Sequence, residues 1–463
     1  MFGEITRASA GELACAIGQG RLSSREVVEA HVRRIEAVNG RLNAVVQLRA
    51  DAALAEAEAA DAARARGAPL GPLHGVPITV KDNVDVAGLR CTAGTTGRQA
   101  LVAAADAPAV ARLRAAGAIV VGKTNLPELA LAFETDNLVH GRTNNPFDPE
   151  RSPGGSSGGE AAVVAAGGSP LGLGNDAGGS IRLPAHCCGV AGLKPTTGRV
   201  PFTGTFPPAV GATGPLWQPG PLARRVADLA LALKLIAGPD GHDPRCVPAP
   251  LGDPADVAVA GLRVALHVDN GVVPADEATA AAVRAAGRAL ADAGAAVEEA
   301  RPTVLEQSPR LFVGLFCADG GATIGHLLAS IGTAEPSPLL AQLAQVAAQN
   351  ALPTAAFAGL LAQLDLYRAE MLAFMARYDA ILCPACAVPA LPHGASMANM
   401  PAFSYTYAFN LTGWPAVVVP AGRAPSGLPI GAQVVARPWR EDVALALAAR
   451  VECALGPGPT PPL

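Results

Sequence analysis

The stretch Arg151-Ser-Pro-Gly-Gly-Ser-Ser-Gly-Gly-Glu160, with its continuation through Gly178-Gly-Ser-Ile-Arg182, limits what this chain can fold into more than any other. It packs Gly and Ser too densely for the interior of a helix or strand. Glycine allows positive φ and close backbone approach, so such runs form loops that set amide N–H groups against a ligand. Ser156 and Ser180 fall where the backbone is most open to a substrate. The Ala/Val segment between them, 161–166, suits a short buried helix. Loop, helix and loop with a serine at each end point to one site.

The surrounding pattern is α/β. Residues 9–66 read as helical, with Ser9 or Ser23 as caps, Val27, Ala30, His31, Arg34 and Ile35 at helix spacing, and Gly67 as a stop. The apolar run 76–80 predicts a short strand that delivers Lys81 at its end. A helix over 107–116 and a strand over 118–121 follow, then a turn at 122–129 that opens another helix. Alternation of helices with buried strands argues for a mostly covered sheet. Strand 261–267, helix 277–293 and strand 296–299 make a β-α-β unit. Residues 339–377 read as helices walling a pocket, 414–420 and 431–436 as late central strands, and 441–452 as the closing helix. The Pro/Gly-rich stretch 239–254 is the best linker candidate.

Composition excludes several classes of function. A formal charge of −4 over 463 residues, without a run of Lys or Arg, gives no footprint for nucleic acid. The chain is half apolar, yet no stretch of about 18 uninterrupted apolar residues reads as a membrane span. The opening residues show no basic stretch leading into an apolar one, so a secretory leader is not expected and a cytoplasmic location is. Nine cysteines are scattered, apart from Cys187-Cys188 and Cys383-Pro-Ala-Cys386. The latter lacks a second ligand pair for zinc and follows a strand-like segment, so its thiols read as small buried apolar groups. No metal and no cofactor are expected.

Two short motifs fail on physical grounds. Gly117-Ala-Ile-Val-Val-Gly-Lys-Thr124 spells a phosphate loop, but its interior is strand material and a helix precedes it. Gly154-Gly-Ser-Ser-Gly158 spells a nucleophile elbow, but three prolines in 144–153 preclude a strand leading in. A Ser-His-Asp triad would need His186, His242, His267, His326 or His393, and the setting of His186 suggests packing.

Lys81, Ser156 and Ser180 make chemical sense without histidine. Serine is a weak nucleophile until a neighbouring base takes its proton. A lysine is that base only when neutral, which demands burial or neighbouring donors to bring it down from about 10.4. Taken alone, Lys81 is equally a strand-end lysine paired with Asp82 or Asp85.

With Pro153–Glu160, Gly172-Leu-Gly-Asn-Asp-Ala-Gly-Gly-Ser-Ile-Arg-Leu-Pro184, Gly192-Leu-Lys-Pro-Thr196, the lysine block Gly75–Asn83 and Gly122-Lys-Thr-Asn125, the chain closely resembles the amidase signature family. The resemblance runs from the N-terminal helices to 431–435 and is weakest between about 300 and 400. It implies a single large α/β domain over 1–463, a mixed and mostly covered β-sheet flanked by helices on both faces. Within it, 1–70 would form N-terminal helices, 71–240 the catalytic core and 255–300 the β-α-β continuation. Residues 301–380 would form a helical pocket or lid, and 381–463 the final strands and closing helix.

The resemblance further implies Ser180 as nucleophile, Lys81 as terminal base and Ser156 as bridging serine, with a cis peptide bond after Gly155. The N–H groups of Ala177, Gly178, Gly179 and Ser180 would form the oxyanion hole, such donors being worth about 3–4 kcal/mol each. Asp176 and Arg182 read as a buried pair holding the loop, and Ser157 as support for Lys81 or the loop. Asn175 departs from the family, standing where many members have Thr. The expected activity is hydrolysis of amide, and by extension carbamate, C–N bonds in a small molecule with apolar or aryl groups, because 311–316 and 357–361 are Leu/Phe-rich. The alternative is the glutamine amidohydrolase component of a tRNA-dependent transamidation complex. No nucleic-acid or membrane partner is expected, and a homo-oligomer is left open.

Overall fold

The computed structural model describes residues 2–463. Among them eleven strands form one mixed sheet. In chain order these are β1 (Val45–Leu48), β2 (Pro77–Lys81), β3 (Ile119–Thr124), β4 (Leu171–Asp176), β5 (Ala191–Lys194), β6 (Gln218–Ala223), β7 (Arg263–Leu266), β8 (Ala296–Glu299), β9 (Ala380–Pro384), β10 (Ala416–Arg423) and β11 (Pro429–Ala436). Across the sheet the order is β1-β3-β2-β4-β6-β5-β10-β11-β9-β7-β8. β2 runs parallel to both β3 and β4, and β7 lies parallel between β8 and β9.

Both faces are covered, and the side-chain alternation of β10 shows how. Val417 and Val419 enter a core shared with Val283 and Leu290 of helix Glu277–Asp292 and Val443 and Leu447 of helix Glu441–Leu455. Val418 faces the other way, into a core with Val28 and Val32 of helix Ser24–Leu42, Ala161 and Ala162 of helix Gly158–Ala165, and Ala185 of helix Arg182–Cys188. Period-two alternation thus feeds two cores from one strand. A third cluster gathers helices Ser308–Cys317 and Thr354–Met375 with Phe403, Tyr405, Tyr407 and Phe409. No single helix among the described residues is long and apolar enough to cross a membrane.

Most expected elements stand where the pattern placed them, and both Ser9 and Ser23 cap helices through reciprocal capping boxes with Glu12 and Glu26. Three strands depart from expectation. β1 interrupts the helical 9–66 segment, because Val45-Val-Gln-Leu48 is β-branched and pairs antiparallel with β3. β4 is built from Leu171-Gly-Leu-Gly-Asn-Asp176, where the glycines permit close packing: a Cβ on Gly172 would overlap the Glu160 carboxylate. β6 contains Pro219 and Pro221, which argue against a central strand. The two share parity, so their missing N–H groups face one side. The ladder with β4 spans all six residues, while that with β5 covers only Ala223 and Leu222. The prolines are tolerated on the side with the short ladder. After β3 no α-helix follows; a 3-10 turn at Glu128–Ala130 places Leu129 at φ 55°.

Gly220, between those prolines, is where β6 passes closest to β5: a Cβ there would lie 2.1 Å from the Leu193 carbonyl oxygen. Gly220→Ala must push β5 and β6 apart beside β4. We expect a loss of about 3 kcal/mol or more in urea unfolding, with the midpoint falling and the slope unchanged. An unaltered midpoint would contradict this packing.

Candidate active site

The parallel pair β2 and β4 ends side by side, Val80 opposite Leu173, so Lys81 and the Asn175-Asp176 pair emerge at the same sheet edge. Carboxyl ends of parallel strands are where α/β sheets bind ligands. Lys81 is fully buried. Its Nζ lies 2.7 Å from Ser156 Oγ and 2.9 Å from Asn175 Oδ1. Burial pushes the amine well below the ordinary 10.5 of lysine, against the opposing pull of the Asp176 and Glu160 charges. Asn175 in turn donates to Asn83 Oδ1 at 2.9 Å, and Asn83 to the Phe206 carbonyl at 2.8 Å. Asn175 is therefore a direct hydrogen-bond partner of the lysine.

Ser156 follows a cis peptide bond after Gly155 and precedes helix Gly158–Ala165. No strand leads into it, since 152–157 is irregular; the elbow geometry is not present. The N–H of Ser157 donates to the Ser180 carbonyl at 3.0 Å, which sets the two serine loops edge to edge. Ser157 Oγ donates to the Asn175 carbonyl at 3.3 Å, so it braces the loop and does not touch Lys81.

The Ser180 loop is held by Asp176. Its carboxylate accepts from the N–H groups of Gly179 (2.8 Å) and Ile181 (3.1 Å), from Asn410 Nδ2 (2.9 Å), and from Arg182 Nε and Nη2 (both 2.9 Å). Arg182 Nη1 donates to the Thr406 carbonyl at 3.0 Å and Gln433 Oε1 at 2.8 Å, and Nη2 also donates to Asn410 Oδ1. All five guanidinium donors thus find acceptors. Burial pushes the Asp176 carboxyl upward, but the Arg182 charge and these donors outweigh it and hold it well below the usual carboxylate range. Among the described residues no acceptor engages the N–H of Ala177, Gly178 or Ser180. Gly179 differs from the expectation of four open donors: its N–H is committed to Asp176. Its contribution is conformational, since φ is 126°, and a Cβ there would meet Thr406 Oγ1 at 2.6 Å. A Cβ on Gly178 would meet Phe312 Cζ at 2.5 Å. Thr406 Oγ1 donates to the Gly178 carbonyl at 2.6 Å and fixes the orientation of that peptide.

Glu160 carries a role that sequence reasoning missed. It is fully buried on helix Gly158–Ala165 and accepts from the hydroxyls of Thr79 and of Thr124 (2.6 Å for the latter). Burial raises its carboxyl to about 7, against those two hydroxyls. Its position as the last residue of the Ser/Gly block was the available signal. Thr406, Asn410 and Gln433 left none, because each lies more than 200 residues from the serine loop it braces.

Residues outside the site behave as packing. Lys123 of the apparent phosphate loop is inside β3 and donates to the Val84 carbonyl at 2.7 Å. His186 is buried between Gly431 and the Val388 carbonyl. Cys383 and Cys386 are buried free thiols whose pKa values burial pushes up to about 12.

An apolar surface lies against the loop. Phe312 stacks on Tyr407 at 4.2 Å and contacts Phe316 at 4.8 Å, while Phe133 packs on Phe403 at 4.7 Å. Ala177 clusters with Leu126, Phe202 and Trp217, and Leu131 and Phe316 pack against that cluster.

The chain is similar to known proteins over most of its length. The family model described as Amidase matches residues 26–445. An indoleacetamide hydrolase of Bradyrhizobium diazoefficiens is 47% identical over 286 residues, 61% of this chain and 54% of that protein, so the match spans about half its length. An acylamidase of Rhodococcus erythropolis is 35% identical over 96% of this chain and 94% of that one. A glutamyl-tRNA(Gln) amidotransferase subunit of Salinispora arenicola is 34% identical over 99% of both. Among solved structures, 6-aminohexanoate cyclic dimer hydrolase complexed with substrate superposes with a TM-score of 0.86 at 31% identity, covering 97% of each chain. With the family model spanning nearly the whole chain, this protein belongs to the amidase signature family and is a hydrolase of amide C–N bonds.

Proposed function

We propose that the chain is a serine amidohydrolase that cleaves amides, and carbamates by the same route, bearing apolar or aryl groups, through an acyl-enzyme on Ser180. The observation that carries the reading is the buried Lys81 amine, 2.7 Å from Ser156 Oγ and depressed well below 10.5 by desolvation. Neutral Lys81 takes the proton of Ser156, which takes that of Ser180 as its Oγ attacks the carbonyl carbon. The N–H groups of Ala177, Gly178 and Ser180 receive the developing oxyanion. The relay then runs in reverse: the proton passes back through Ser156 to the leaving nitrogen as the C–N bond breaks. Water attacks the acyl-enzyme with its proton taken along the same path, and Ser180 departs reprotonated. The relay uses no cofactor.

The aromatic residues packed on Gly178 and Ala177 favour an apolar acyl or aryl group. Full-length similarity to a component of a glutamyl-tRNA(Gln) amidotransferase keeps a second reading, ammonia release from glutamine for a tRNA-dependent transamidation complex. Glutamine would require charged groups to fix its α-amino and α-carboxyl ends, and the cluster around Ala177 is apolar.

A matched substrate panel tests the choice: one aryl amine released from an acyl amide or a carbamate, beside ammonia released from glutamine and from a simple primary amide. Aryl amine release that falls about 10²–10⁴-fold in Lys81→Ala is the expected result. Ammonia from glutamine alone would replace this reading with the second one.

The pH profile tests the base. An amine acts as base only when deprotonated, so kcat/KM rises with pH through the Lys81 pKa, and the ascending limb lies well below pH 10.5. Glu160 itself titrates at about 7, so above that pH its charge favours protonated Lys81, and Glu160→Gln moves a limb in that range to lower pH. A limb above pH 7 that stays put in Glu160→Gln, or moves upward, would remove Lys81 from the titrating role.

A further inference from the structure

A cavity of about 550 Å³ lies apart from the serine loops and is joined to them by two helices. Helix Gly158–Ala165 leaves the Ser156 loop and ends there at Ala165–Gly167; helix Arg182–Cys188 leaves the Ser180 loop and ends there at Gly189. Five arginines line this cavity, Arg7, Arg33, Arg34, Arg224 and Arg225, and no Asp or Glu does. Arg33 and Arg225 have carboxylates close by, in Glu29 and Glu452.

Among the described residues the other three hydrogen-bond only to carbonyls or to nothing, and the charges of Asp228 and Glu12 act on Arg224 from outside the lining. Arg34 Nε donates to the Ala166 carbonyl at 2.7 Å. Arg224 Nη1 donates to the Ser169 carbonyl at 3.0 Å and the Val164 carbonyl at 3.3 Å, and its Nη2 donates to the Ala8 carbonyl at 2.5 Å. The contacts to Val164 and Ala166 cap the C-terminal carbonyls of helix Gly158–Ala165, and both side chains have donors left over. The Nε of Arg224 is buried with no acceptor at all. Among the described residues the Arg7 guanidinium makes no hydrogen bond or ion pair. A buried donor without an acceptor costs about 1–3 kcal/mol, and like charges crowded in one recess repel. Burial lowers the Arg34 pKa and the charge of Arg7 adds to that; burial brings Arg224 to about 10. Capping alone uses two of these side chains and does not explain the orphaned Nε; Arg7 is exposed, and its donors are open to a ligand.

We propose that this cavity binds a small molecule carrying two or more anionic groups, phosphate or carboxylate, across Arg7, Arg34 and Arg224. Its volume falls within the range of metabolite sites, guanidinium forks match such oxygens two at a time, and Ala30, Ala37 and Val190 leave apolar room for an organic body.

Titration calorimetry with inorganic pyrophosphate at low salt tests this, with orthophosphate in parallel. The expected result is one saturable site per chain, tighter for pyrophosphate than for orthophosphate. Arg7→Gln should weaken it about tenfold or more, the size of one lost charge-assisted bond. Because the Arg7 side chain braces nothing, the melting temperature without ligand should not change. Arg34→Lys keeps the charge, loses the fork and should also weaken binding. Absence of saturable heat with pyrophosphate would overturn the proposal, as would binding unchanged in both variants.

Discussion

The buried pair of Asp176 and Arg182 is the interaction on which the site depends. Both side chains are wholly removed from solvent. Charges in a dry interior persist only when paired and fully hydrogen-bonded, and removing one partner of such a pair costs about 3–5 kcal/mol. Here the carboxylate gathers two backbone N–H groups of the Ser180 loop, while the guanidinium reaches Thr406, Asn410 and Gln433 on helix Ser404–Leu411 and β11. One ion pair therefore ties a loop that has no regular structure of its own to two elements of the C-terminal half. The same contacts leave the N–H groups of Ala177, Gly178 and Ser180 with no internal acceptor. Under the proposed function, pre-orientation of those donors is paid in folding energy, not during the reaction.

Lys81 shows the opposite use of burial. It has no carboxylate within ion-pair distance among the described residues, and its nearest partners are neutral: a serine hydroxyl and the Asn175 amide. Desolvation then works unopposed at short range, and the more distant Asp176 and Glu160 recover only part of the shift. Had a carboxylate stood where Asn175 stands, the amine would be held protonated and useless as a base. An amide at that position keeps the geometry of an acceptor without its charge. The thiols of Cys187, Cys383 and Cys386 are pushed the same way by burial, toward their neutral form.

How much of this was legible in the chain follows from how local each signal is. The Ser/Gly block announces itself because glycines needed for tight backbone approach cluster within a few residues, and Lys81 stands at the end of an apolar run. Capping boxes at Ser9 and Ser23, and the β7-helix-β8 unit, are likewise local patterns. β4 and β6 were illegible because their Gly and Pro content opposes strand propensity; only the register with neighbours distant in sequence makes them strands. β1 was hidden between two helical stretches. Thr406, Asn410 and Gln433 stand in apolar segments where a polar residue carries no label of its partner. The commitment of the Gly179 N–H also needed the structure, since nothing in Gly178-Gly179 tells which N–H the Asp176 carboxylate takes.

Gly178 joins the serine loop to the aromatic surface. Its N–H has no internal acceptor among the described residues, and the absence of a side chain lets the Phe312 ring close to within contact of the backbone. Phe312 is stacked on Tyr407, and Tyr407 shares helix Ser404–Leu411 with Thr406, which fixes the Gly178 carbonyl, and with Asn410, which binds Asp176. The aromatic surface and the Gly178 peptide are therefore one packing unit. Reshaping Phe312 would be transmitted to the peptide that carries the Gly178 N–H, and under the proposed function a change of acyl-group preference made there would also disturb an oxyanion donor. The residues near position 312 are thus constrained by the serine loop they pack on, although their sequence, Leu311-Phe-Val-Gly-Leu-Phe316, reads as ordinary core.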